Sequence, residues 1–113
     1  MDCNAKLGKT IIKGDLHDIS SNGKILWDIL NRHNCTVVNT TDKCKGVITR
    51  SRMKKGVKEQ SVLDYIIVNA LMVPLIDETE IDESDIKALT RFKKNNPIPS
   101  DHNYLGCVFN IPI

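Results

Sequence analysis

A chain of 113 residues, 41% of them hydrophobic and 27% charged, has the length for one hydrophobic core and not for two. A net charge of +2 and an aromatic content of 4% argue against a general polyanion binder and against base stacking on aromatic rings. No apolar run approaches the roughly 18 residues of a membrane helix, and Met1 is followed at once by Asp2 and polar residues rather than by a signal sequence. The expectation is a cytoplasmic or nuclear protein, not secreted and without a membrane partner.

Residues 6–18 hold breakers and no sustained period, and read as a loop. Ser20-Ser21-Asn22 then offers helix-capping side chains, and Ile25, Leu26, Ile29 and Leu30 recur at helical spacing through Arg32, with Gly23 weakening the first turn and Asn34 as a left-handed stop. Residues 35–39 are β-branched and short, as in a strand. Between residues 43 and 58 stand seven Lys or Arg and no acid, with Val47-Ile48-Thr49 as the strand-like core and Gly56 as a turn. Residues 61–68 form the strongest expected strand, apolar on both faces except at Asp64, which suggests a covered sheet.

A hairpin-like return around Pro74 leads to Leu75-Ile76. Residues 77–85 carry six acids in nine and read as a solvated loop; they fail the calcium-loop pattern, because Ile81 holds the fifth position and no glycine the sixth. Residues 86–94 suit a short helix on Ile86 and Leu89, Pro97-Ile98-Pro99 a stiffened loop, and residues 104–111 a closing strand. This order predicts an α+β fold, a mixed sheet of four to six strands with one or two helices. Cys3, Cys35, Cys44 and Cys107 show no C-x-x-C spacing, and free thiols packed as small hydrophobes are expected.

Asp64 needs a partner, since a carboxylate in an apolar strand carries a desolvation cost of several kcal/mol. His102 is the best candidate: an aspartate on one imidazole nitrogen orients the ring and favours the cation that stabilises a developing anion. Asp101 and His102 are neighbours facing opposite ways on extended chain. Asp2 and Asn4, two apart, would face the same way and could orient a water and a phosphate oxygen. Arg50 and Arg52 share one strand face and, with Lys54 and Lys55, could track a phosphate backbone. His17, in the polar loop, and His33, at the helix end, read as structural or solvated.

In order and spacing, Asp2-Cys3-Asn4-Ala5, Thr49-Arg50, Leu63-Asp64-Tyr65-Ile66 and Ser100-Asp101-His102 resemble the C-terminal half of the endonuclease/exonuclease/phosphatase superfamily, with its exonuclease-III-like and DNase-I-like fold. The resemblance implies a single partial domain over residues 1–113, half of a four-layer α/β sandwich. It implies that Asp2 orients or deprotonates the attacking water, that Asn4 holds the phosphate, that Asp64 orients His102 against the scissile phosphate, and that Asp101 associates with magnesium or manganese. The implied activity is phosphodiester hydrolysis of DNA or RNA, weak or lost in the isolated chain because the family's metal-binding glutamate has no counterpart. Completion by a second copy or by a separate N-terminal half is one expected partnership. The alternative is a non-catalytic remnant that binds nucleic acid or protein.

Overall fold

The computed structural model describes residues 4–84 and 89–111, with the backbone alone at residues 91–93 and 99. Asp2 and Cys3 therefore lie outside the described residues, as do residue 85 of the acidic run and residues 86–88 of the expected second helix.

The architecture is α+β. Residues 4–20 wrap across the molecule without regular structure into helix α1 (Ser21–Arg32). Ser20 caps it, its Oγ accepting from the Gly23 amide at 3.0 Å, and the same hydroxyl accepts from the Lys6 amide at 2.9 Å. The incoming loop is thereby sewn to the helix start. Gly23 packs so closely on the Lys6 carbonyl that a Cβ there would overlap it. This contact sets the helix rotation: Leu26, Trp27 and Leu30 turn inward, while Ile25 and Ile29, expected on the buried face, stand exposed. Asn34 adopts a φ of 51° just past the end, the left-handed stop its type permits.

Strand β1 (Cys35–Val37) follows and runs into a 3-10 turn at Val38–Thr40. Then come β2 (Cys44–Lys45), β3 (Arg50–Lys54) and β4 (Val57–Ser61). Lys55 and Gly56, at φ 50° and 77°, form the two-residue turn that joins β3 to β4, a geometry matched to strand twist. The basic segment is thus a hairpin, and its strand starts at Arg50 rather than at Val47.

The apolar stretch expected as one strand over residues 61–68 is divided. Side chains supply several of the hydrogen bonds of its middle. Thr49 Oγ1 accepts from the Leu63 and Asp64 amides at 2.9 and 3.1 Å. Asn39 accepts from the Ile66 amide and donates to the Asp64 carbonyl. Regular pairing resumes only at β5 (Ile67–Asn69), antiparallel to β1.

A 3-10 segment, Ala70–Leu75, leads into β6 (Ile76–Ile81). The acidic run is therefore largely a strand and not a loop. Its Asp77 and Glu78 are exposed while Ile76, Thr79 and Ile81 are buried, because a register shift between Ile76 and Glu78 interrupts the alternation and lets Ile76 and Thr79 both pack. β7 (Thr90–Lys93) and β8 (Asn96–Pro99) form a second hairpin around Lys94 and Asn95, both at positive φ. This replaces the expected helix over residues 90–94 and the expected loop at Pro97-Ile98-Pro99. β9 (Leu105–Phe109) closes the chain.

Among the described residues the nine strands fall into four small sheets, β1-β5, β2-β6-β9, β3-β4 and β7-β8, rather than one sheet of four to six. Only the β2-β6-β9 sheet is mixed, with β2 parallel and β9 antiparallel to β6. The main core joins Leu7, Ile12, Leu30, Val37, Ile48, Val62 and Tyr65. Tyr65 is its hub: its hydroxyl accepts from the Leu7 amide at 3.0 Å and donates toward the Val62 and Ala5 carbonyls.

The three described cysteines are free. Cys44 and Cys107 both register with Thr79, from opposite sides. Burial first, and the Cys107 thiol second, push the Cys44 thiol up from its usual value. No described helix is long and apolar enough to cross a membrane.

Candidate functional site

Three segments meet around residues 48–52. On one side the Thr49 amide donates to the Ser61 carbonyl at 3.1 Å, continuing the β3-β4 hairpin. On the other side Ser51 donates to the Asp101 carbonyl, and Asn103 to the Thr49 carbonyl, at 2.9 and 2.7 Å. Arg50 and His102 form a bridge between these antiparallel segments. Asn103 adds a side-chain bond to the Ile48 carbonyl at 2.7 Å. Ser100 turns the chain into the site by accepting from the His102 amide at 3.1 Å. This gives a physical reason for a serine two residues before the histidine: the small hydroxyl fixes the turn locally.

With the backbones so placed, His102 Nδ1–H donates to Asp64 Oδ2 at 2.7 Å, a short, charge-assisted contact across 38 residues of chain. The Asp64 side chain is 15% exposed and that of His102 29%, so the carboxylate is sheltered while the ring remains accessible. Asp64 is itself held by its own backbone: Thr49 takes its amide and Asn39 its carbonyl. A buried threonine thus serves as the base plate of the pair.

On the other side of His102, Asp101 Oδ1 lies 3.9 Å from Nε2. Its Oδ2 accepts from both Nε and Nη2 of Arg50, each at 2.9 Å. Burial raises the Asp101 carboxyl, but the hydrogen bond and charge of Arg50, with His102 nearby, outweigh it and hold the group below its ordinary 3.8. The result is a chain of alternating groups, Arg50, Asp101, His102, Asp64.

Arg50 also lines a groove of about 540 Å³ that it shares with Lys6, Arg52 and Lys58. Glu59 is the carboxylate among the described lining residues, and it is paired with Arg52 at 2.9 Å. That pairing, with its hydrogen bond the larger cause, lowers the exposed Glu59 carboxyl. His17 lines the same groove and its Nε2–H donates to the Gln60 carbonyl at 2.9 Å. The groove therefore carries four fixed cations against one carboxylate, and its chemistry suits an anion.

Of the residues singled out from sequence, Asp64, Asp101, His102 and Arg50 come together. Arg52 and Asn4 line the groove, Asn4 at a φ of 47° and with its carbonyl accepting from Asn22 at 3.5 Å. Lys54 and Lys55 stand exposed at the tip of the β3-β4 hairpin and do not line the groove. Asp2 lies outside the described residues. Sequence reasoning gave no role to Asn39 or Lys6, placed Thr49 only in a strand-like motif and Lys58 only at the end of the basic segment, and read His17 as solvated or structural. A hydroxyl residue ending an apolar run, as Thr49 does, was the one available signal of a buried pin.

Whether these groups suit magnesium or manganese can be tested on their donors. Among the described residues no three His, Cys, Asp or Glu side chains gather as a metal would need. Asp101 Oδ2 is already occupied by two N–H groups of the Arg50 guanidinium. A divalent ion on that oxygen would have to displace Arg50, whereas Oδ1 carries neither of these bonds.

Compared with models of known families, with curated proteins and with solved structures, the chain matches none of them.

Proposed function

We propose that the chain is the C-terminal half of a phosphodiester-hydrolysing nuclease of the endonuclease/exonuclease/phosphatase type, weak or inactive until its other half is supplied. The observation that carries this reading is the 2.7 Å contact between His102 Nδ1 and Asp64 Oδ2 beside a cation-lined groove. An imidazole held by a sheltered carboxylate on one nitrogen, with its ring accessible, is suited to stabilise charge on a non-bridging phosphate oxygen.

In the proposed reaction a water oxygen bonds to phosphorus while the bond to the leaving sugar oxygen breaks. The water's proton passes to a carboxylate, the role the resemblance gives Asp2, and the leaving oxygen takes up a proton from solvent. His102 and the groove cations neutralise the charge that accumulates at phosphorus. DNA or RNA is the proposed substrate. The magnesium or manganese dependence implied by the resemblance, with Asp101 as the associated carboxylate, is part of this reading.

The test is nicking of supercoiled plasmid by the chain alone, and by the chain joined to any polypeptide encoded in frame upstream of Met1. Cleavage by the joined protein, with His102→Ala slower by about 100-fold or more as expected for a lost electrostatic catalyst, supports the reading. Equal cleavage by His102→Ala sinks the assigned site. Salt-sensitive DNA binding by every form with no cleavage favours the non-catalytic binding module.

A further inference from the structure

Asp101 is the unexpected member of the cluster. A carboxylate beside a cationic groove would ordinarily weaken anion binding there, because it lowers the local positive potential. Its geometry says otherwise. Oδ2 takes the Nε and Nη2 hydrogens of Arg50 at 2.9 Å each, and both side chains are about three-quarters buried, at 28% and 24% exposure. The guanidinium is planar and rigid, with five donors in a fixed fork. Holding one edge fixes the plane, and the remaining donors are then oriented by a residue that is itself tied to β3 through its carbonyl and the Ser51 amide.

Arg50 is also the groove cation adjacent to His102, its partner in the backbone bridge. Arg52, by contrast, is engaged by Glu59, and Lys6 and Lys58 have no carboxylate at ion-pair distance among the described residues.

We infer that Asp101 is a positioning residue whose function is to hold Arg50 as an anion-binding group of the groove, and that a phosphate oxyanion binds there without a divalent cation. The groove takes a phosphate group, free or within a nucleic-acid backbone. This inference stands whether or not the chain cleaves a phosphodiester, since it concerns occupancy of the groove and not turnover.

The test is titration of the isotope-labelled chain with inorganic phosphate in EDTA, followed through the backbone amides and the Arg50 Nε–H signal. Phosphate is expected to shift Arg50, His102 and the β3 amides, with an affinity unchanged by millimolar magnesium. Asp101→Asn and Arg50→Lys should each weaken phosphate binding by about fivefold or more, because the oriented fork is lost in both. The double variant should be no weaker than either single one, the signature of two groups acting as a unit. Lys24→Ala, on the exposed face of α1, serves as the control and should bind as the parent does.

Simple electrostatics predicts the opposite sign for Asp101→Asn: removing a negative charge beside four cations should tighten the complex. Tighter or equal binding by a folded Asp101→Asn protein therefore overturns the inference, as does binding that is lost in EDTA and restored by magnesium. If Asp101→Asn does not fold, Arg50→Lys, which keeps the charge, carries the test alone. A short oligonucleotide without terminal phosphates is titrated alongside: tighter binding than inorganic phosphate identifies a nucleic-acid backbone as the occupant, weaker binding a free phosphate, and no shift from either ligand refutes the anion site.

Discussion

Thr49 shows how much can depend on one hydroxyl. It is fully buried, and its Oγ1 is the acceptor for two consecutive amides, those of Leu63 and Asp64. Thr49→Val keeps the shape and removes the acceptor, leaving two buried N–H groups unpaired at a cost of about 2–3 kcal/mol. Thr49→Ser should recover most of this in urea unfolding. The valine variant should also loosen Asp64 from His102, seen as loss of the downfield Nδ1 proton resonance.

The pH response of the Arg50–Asp101 pair follows from the lowered Asp101 carboxyl. A depressed folded-state pKa contributes stability that is present above the unfolded value and is lost as pH falls through the folded one. The stability difference between the parent and Asp101→Asn should therefore be flat from neutral pH to about pH 5 and shrink only below about pH 4. Chemical unfolding across that range measures it, and a difference that vanished already near neutrality would contradict the pairing.

At the scale of elements, α1 illustrates a glycine whose worth is steric. In an exposed helix, replacing glycine by alanine adds about 1 kcal/mol of stability. At Gly23 the new Cβ would meet the Lys6 backbone carbonyl, which is fixed by its bond from the Ser20 amide at 2.9 Å. Gly23→Ala is expected to destabilise by about 1–3 kcal/mol, as overpacking does. A rise in melting temperature would show that the loop yields.

The same scale explains which elements could be read in advance. The helix, its Ser20 cap and the Asn34 stop were legible because each is a local choice of residue type. Which face of the helix is buried was not, because a single tertiary contact at Gly23 decides it. The run over residues 61–68 has the composition of a strand, yet the side chains of Thr49 and Asn39 supply several of its hydrogen bonds from elsewhere in the chain, and no local pattern records that. Acidic β6 reads as a loop in sequence because a register shift between Ile76 and Glu78 breaks the alternation of its inward positions Ile76, Thr79 and Ile81.

For the whole molecule, the radius of gyration is 15.0 Å and the shortest principal extent 25 Å. A compact domain of this length would have a radius near 13 Å. The chain is flat for its size, with a main core built on one helix, the β1-β5 pair and the irregular strand through Tyr65. The Asp64 and His102 partnership was legible from sequence through the cost of burying a lone carboxylate. The commitment of Asp101 to Arg50 was not, because it depends on residues 48–52 lying between two segments that are far apart in the chain.

The β7-β8 hairpin has one more effect. Ser100 donates its amide to the Leu89 carbonyl at 2.8 Å, so even-numbered residues of this segment direct their N–H groups toward β7. Pro97 and Pro99 thus fall on the outward rim, where an extended segment from another molecule would look for donors and find none. For a thin protein with small sheets, a rim without donors at these two positions disfavours edge-to-edge pairing beside the Ser100-Asp101-His102 segment.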